Sequence, residues 1–214
     1  MKKFAVVLSG CGVYDGAEIH EATLSMYAIV KQGATYDVFA PDIQQHHVIN
    51  HLTGQEMPET RNVLVESARI ARGKIKPLGG FDPAGYDALL LPGGFGAAKN
   101  LSSFAFDGPD CTVNPDVEKA IKGMHQAGKP IGALCISPVL LAKILGDVTL
   151  TIGSDQGTAD AVTVLGATHQ NTGHGQVVID EKNNVFTTPC YMLDANIAQI
   201  GEGAMNIVRE ILNT

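Results

Sequence analysis

The stretch Pro130-Ile131-Gly132-Ala133-Leu134-Cys135-Ile136-Ser137-Pro138 decides how this chain reads. Ile131 to Leu134 is an apolar run sized for a buried strand, and a helical pattern of Val139, Leu140, Leu141, Ile144 and Leu145 begins directly behind Pro138. Cys135 stands at the junction. Such a strand-to-helix corner is a nucleophile elbow, which projects its side chain beside the backbone N–H of the next residue, Ile136, at the positive end of a helix. That setting predicts a lowered thiol pKa, with Cys135 the most acidic thiol of the chain. The bland alternative is a buried cysteine that packs as a small hydrophobe.

Around this elbow, 214 residues suffice to bury one large core, and a single domain spanning 1–214 is expected. Hydrophobic residues at 45% against charged residues at 17% exclude general disorder. A net charge of -7 without any basic cluster argues against nucleic acid or an anionic membrane as partner. Cys11, Cys111, Cys135 and Cys190 are scattered and form no C-x-x-C pair, which fits reduced thiols better than a disulfide framework or a zinc site. Lys2 and Lys3 before Phe4 to Leu8 imitate a signal segment, but the apolar run is shorter than the roughly 7–15 residues of an h-region. It reads as a first strand, and the protein is expected to be soluble and cytoplasmic.

Taken outward from the elbow, strands and helices alternate, which predicts an α/β fold with a doubly wound parallel sheet. A strand at Phe4 to Leu8 leads through the loop Ser9 to Gly16 into a helix from about Ala17 to Gln32. Gly10, Gly12 and Gly16 do not make G-x-G-x-x-G, so a nucleotide cofactor is weakly indicated. Glu18 and Glu21 lie where a helix N-terminus favours carboxylates. The sharper reading sends Glu18 across the carboxyl edge of the sheet to Cys135, while His20 is read as a surface residue. Residues 43–60 break the alternation and suggest a small hairpin added to the main sheet. Its His46, His47 and His51 have no cysteine nearby and read as solvent-facing rather than as metal ligands.

Leu91-Pro92-Gly93-Gly94-Phe95-Gly96 follows another core strand, and its glycines suit an anion-binding nest. If the N–H of Gly94 joins that of Ile136, the pair can hold an oxyanion formed at Cys135. The segment onward to Pro115 has no periodicity and is expected to be a site wall or an interface. His169 and His174 fall in a later loop region from which either could reach the site.

These residues carry a resemblance. Pro92 to Leu101 and Gly132 to Pro138 resemble the glycine loop and the nucleophile turn of the class I glutamine amidotransferase-like superfamily, which includes PfpI-type proteases and deglycases. Leu8 to Gly16, Asn50 to Gly54, Thr60 to Leu64 and Thr187 to Pro189 are similar to the bacterial ElbB glyoxalase family, over essentially the whole chain. The resemblance implies a flavodoxin-like doubly wound sheet, usually a homodimer, without metal or organic cofactor. It implies Cys135 as nucleophile, Glu18 as the acid beside it and His169 as a site histidine, with Gly93, Gly94 and Ile136 around the oxyanion. Amidotransferases carry a late His and Glu pair, whereas Thr187 to Met192 holds no histidine; PfpI-type members place His where Ile136 stands. Glutaminase and protease activities are therefore not expected. Conversion of glyoxal or a similar small dicarbonyl to the hydroxy acid glycolate is expected, as the visible part of glyoxalase or deglycase chemistry. The alternative from another class is a thiol-based sensor or binding protein.

Overall fold

Alternating apolar runs and helices become, in chain order, β1 (Lys3–Val7), α1 (Ile19–Lys31), β2 (Thr35–Ala40), α2 (Val63–Ile70), β3 (Ile75–Pro77), β4 (Ala88–Leu91), α3 (Phe95–Lys99), α4 (Phe104–Asp107), α5 (Pro115–Gln126), β5 (Ile131–Leu134), α6 (Pro138–Leu145), β6 (Thr149–Leu150), α7 (Gln156–Val164), β7 (Thr168–His169), β8 (Val178–Asp180), β9 (Val185–Thr188) and α8 (Ile197–Leu212). The computed structural model describes residues 1–214. The main sheet has seven strands in the order β3-β2-β1-β4-β5-β9-β8. It is parallel except for β8, which pairs antiparallel with β9.

The two central strands, β4 and β5, are buried at every residue, which is why they read as unbroken apolar runs. Period-two alternation sends Ala5, Val7, Leu89, Leu91, Ile131 and Ala133 to one face, into a core with residues of α5 and α6. Phe4, Val6, Leu8, Ala88, Leu90 and Leu134 face the other way, onto α1 and α8. Helices thus cover both faces, and the loops after β1, β4 and β5 converge at the carboxyl edge. No helix is long and apolar enough to cross a membrane.

The expected hairpin within 43–60 does not join the main sheet. Its two arms meet in an isolated antiparallel bridge, Ile49 to Glu56, and the excursion instead folds over the loop after β1. Asp15 accepts from the Ile49 N–H at 2.7 Å, and the His51 ring accepts from the Tyr14 N–H at 3.2 Å while its other nitrogen bonds the Ile49 carbonyl at 3.0 Å. His46 stacks on Phe106 with centroids 4.2 Å apart. The segment from Leu101 to Asn114, expected to wall the site or form an interface, contains α4 and packs Phe106 against this histidine pair. Two short elements, β3 and α3, have too few residues for a periodicity to register.

Asn100, buried behind α3, ties these parts together. Its amide donates to the carbonyls of Ser9 and Asp15 at 2.9 and 2.8 Å, and its Oδ1 accepts from the His46 N–H at 2.9 Å. Asn100→Ala strands three backbone groups at once and is expected to destabilise the fold by about 3 kcal/mol, read from the urea midpoint. A loss under 1 kcal/mol would show that water replaces the amide.

Candidate active site

Cys135 follows the last residue of β5 with φ +60°, a conformation that few non-glycine residues adopt. Its N–H still donates to the Thr188 carbonyl at 3.0 Å, so the strand ladder fixes the corner, and the Ser137 hydroxyl donates to the Pro92 carbonyl at 2.7 Å. That second bond joins the elbow to the glycine loop after β4. Gly93 must lack a side chain, because a Cβ there would sit 2.4 Å from the Cys135 Cβ. Gly94 turns at φ +96°, and its N–H and that of Ile136, neither taken by another acceptor, favour the thiolate of Cys135.

The carboxylate that meets the thiol is Glu21. It is fully buried, accepts from the Gly93 N–H at 2.9 Å and from the Tyr191 N–H at 3.3 Å, and lies with the Cys135 side chain against the same glycine, Gly93. The expected partner, Glu18, does something else: as the N-cap of α1 its side chain accepts from the Glu21 N–H at 2.7 Å. One turn of helix therefore separates the expected acid from the one that reaches the sulfur. His169 is likewise not brought to the site. It lies on β7, takes the Ile152 N–H on its Nε2 at 3.3 Å, and is absent from the walls of the Cys135 cavity. Gly93, expected beside the oxyanion, gives its N–H to Glu21 and leaves Gly94 and Ile136 as the free donors.

Burial first, and the charge of Glu18 second, push the Glu21 carboxyl up to about 8. Burial and the Glu21 charge push the Cys135 thiol well above its ordinary range, against the pull of the Gly94 and Ile136 N–H groups. The expectation of an unusually acidic Cys135 is thus overturned. Oriented N–H groups and the helix end are present, but desolvation and a buried carboxylate outweigh them. Cys190 is raised in the same way by burial and by Glu21, whereas Cys11 and Cys111 are raised mainly by burial. The couple of Cys135 and Glu21 shares its protons and titrates as a pair.

A cavity of about 370 Å³ opens above the sulfur, walled by Val13, Phe95, Ile136, Tyr191 and Met192, with Asp155 and Thr158 among its lining residues. The Tyr191 hydroxyl is paired with the Nδ1 of exposed His20 at 2.8 Å. Roomier grooves exist, such as one of about 540 Å³ along β2, but that one holds no nucleophile, and Asp37 in it is bound by Lys3, Lys76 and Tyr86. No three His, Cys, Asp or Glu side chains gather as a metal site requires.

Along 98% of its length the chain is 50% identical to human "Glutamine amidotransferase-like class 1 domain-containing protein 3, mitochondrial", covering 82% of that protein. It is an ElbB-like member of the glutamine amidotransferase-like class 1 domain family. The rat "ES1 protein homolog, mitochondrial" is 49% identical over 98% of this chain and 83% of its own. Among solved structures, an isoprenoid biosynthesis protein with an amidotransferase-like domain from Ehrlichia chaffeensis superposes over 100% of this chain and 99% of its own, with TM-score 0.94 and 34% identity. No family model matches the chain. The cytoplasmic expectation is corrected by these relatives, whose names place them in mitochondria. It rested on unpaired thiols and a short N-terminal apolar run, and neither property distinguishes one reducing compartment from another.

Proposed function

We propose that this ElbB-like domain is a cysteine-dependent glyoxalase that converts small dicarbonyls to hydroxy acids without a cofactor. The single observation that supports the reading is the thiol of Cys135 packed beside a buried, proton-holding carboxyl, Glu21, beneath two free N–H donors. Sulfur adds to one aldehyde carbon as the ionised form of Glu21 takes the thiol proton, and the Gly94 and Ile136 N–H groups hold the oxyanion. Protonation of that oxygen gives a hemithioacetal. Glu21, positioned by Gly93 and Tyr191, then removes the proton from the thiol-bearing carbon and returns it to the neighbouring carbon, while the hydroxyl proton passes to the neighbouring oxygen, leaving a thioester of the hydroxy acid. Water cleaves the thioester, restores the thiol and releases glycolate from glyoxal. The sum is glyoxal plus water, with no redox partner.

Amide hydrolysis would need a proton donor for a poor leaving group, and Thr187 to Met192 supplies no histidine. A redox sensor is less well supported, because sensor thiols are acidic and accessible. Cys135 is 7% exposed and held protonated.

Glycolate followed by NMR tests the proposal. We expect slow conversion that rises with pH through about 8, as Glu21 loses its proton and becomes the base. Cys135→Ser should abolish it, and glutamine should release no ammonia. Glyoxal loss without glycolate, or independent of Cys135, would overturn it.

A further inference from the structure

The formally charged side chains that line the cavity or pack beside the sulfur are carboxylates. Glu21 lies next to Cys135 across Gly93, Glu18 caps the same helix end, and Asp155 stands on the cavity's exposed rim, held ionised by the hydroxyl and N–H of Thr158. No lysine or arginine lines the cavity. Lys99, one turn beyond Phe95, donates to the Tyr14 carbonyl at 2.9 Å and lies over the Phe95 ring instead. The neutral polar side chains of the wall are already engaged, Thr158 with Asp155 and Tyr191 with His20. An anionic substrate would therefore find no cation and no free side-chain donor on these walls, only the like charge of Asp155 at the rim.

The remaining surface is apolar, supplied by Val13, Phe95, Ile136 and Met192, and the volume of about 370 Å³ is several times the bulk of glyoxal. We infer that the site takes uncharged carbonyl compounds bearing an apolar group of about the size of a benzene ring, and that Asp155 helps to exclude carboxylated and phosphorylated ones. The inference rests on Cys135 as the reacting group, but not on the outcome of its chemistry. Asp155 is a specificity-determining residue here, outside the proton-transfer steps.

Alkylation of Cys135, read by mass spectrometry at pH 8, tests selectivity apart from turnover. Iodoacetamide, its N-phenyl derivative and iodoacetate are compared on the folded protein, with the urea-unfolded chain as reference for intrinsic rates. The folded protein should disfavour iodoacetate against iodoacetamide by about tenfold more than the unfolded chain does, and should favour the phenyl reagent. Asp155→Asn keeps the helix cap and should raise the iodoacetate rate about threefold relative to the iodoacetamide rate of the same variant. Equal or faster iodoacetate labelling in the folded protein, or a phenyl reagent excluded from it, would overturn the inference. Turnover of phenylglyoxal and its para-carboxylate, measured alongside, separates the two readings. Selective alkylation without turnover rejects the glyoxalase reaction alone, and turnover of both compounds at equal rates rejects the substrate class alone.

Discussion

Glu21→Gln is expected to make the protein more stable at pH 9 while removing its proton transfer. The carboxyl moves from an ordinary value of 4.5 to about 8 on folding, a displacement that corresponds to roughly 5 kcal/mol. The sign follows from which form the fold prefers. Below pH 4.5 the group is protonated in both states and the stability is fully present; between 4.5 and 8 the unfolded chain alone ionises, and stability drains away as the pH rises. A glutamine, never charged, escapes this loss. Its amide cannot accept from both Gly93 and Tyr191, which costs about 1 kcal/mol at every pH. Urea midpoints of both proteins should therefore be similar or slightly lower for the variant at pH 5, and higher for it at pH 9 by up to about 4 kcal/mol. Glycolate formation should fall at least about a hundredfold. A stability difference independent of pH would mean that Glu21 is not the group that carries the raised pKa.

Gly94→Ala should produce the largest loss. At φ +96° and ψ 157° the backbone occupies a region almost confined to glycine. An added Cβ would also lie 2.3 Å from the Glu18 nitrogen and 2.5 Å from the Gly16 carbonyl oxygen, both of them backbone atoms in buried segments. Neither neighbour is a flexible side-chain end that can swing aside. Strain and overpacking together are expected to cost on the order of 4 kcal/mol, and relaxation would draw the Gly94 N–H away from the sulfur. Thermal or urea unfolding measures the first effect, and residual glycolate formation in the surviving folded fraction measures the second. A variant of normal stability would show that the loop accepts another path past α1.

The elbow could be read from sequence because two periodicities meet within it, a four-residue apolar strand and a helical repeat behind Pro138. The acid could not be placed as easily. Glu18 and Glu21 lie in the same first turn, and which one faces the sheet depends on where the helix begins and on its phase. A signal for the correct choice was present. Glu21, Ser25 and Ile29 share one stripe and are all buried, and Glu18-x-x-Glu21 has the spacing of an N-cap followed by N3. The thiol's pKa was illegible for a different reason. It is decided by burial and by a carboxyl group more than a hundred residues away, neither of which the local sequence around Cys135 encodes. Loop position left His169 and His174 equally able to reach the site and resemblance favoured His169, whose ring instead serves a backbone N–H of the neighbouring strand end.

Glu21 takes its two backbone donors from residues 72 and 170 positions further along the chain. Contacts of such sequence separation form late in folding, since the entropy of closing long loops must be met before they add stability. A nascent or partly unfolded chain can hold the β5–α6 corner and still leave Cys135 an ordinary thiol in water, with no carboxyl beside it. Its reagent profile should then match that of a free cysteine, and the coupled behaviour with Glu21 should appear only when β1, β4 and β9 are all in register. Thiol labelling at Cys135 thus follows completion of the topology, and local order at the elbow alone will not register in it.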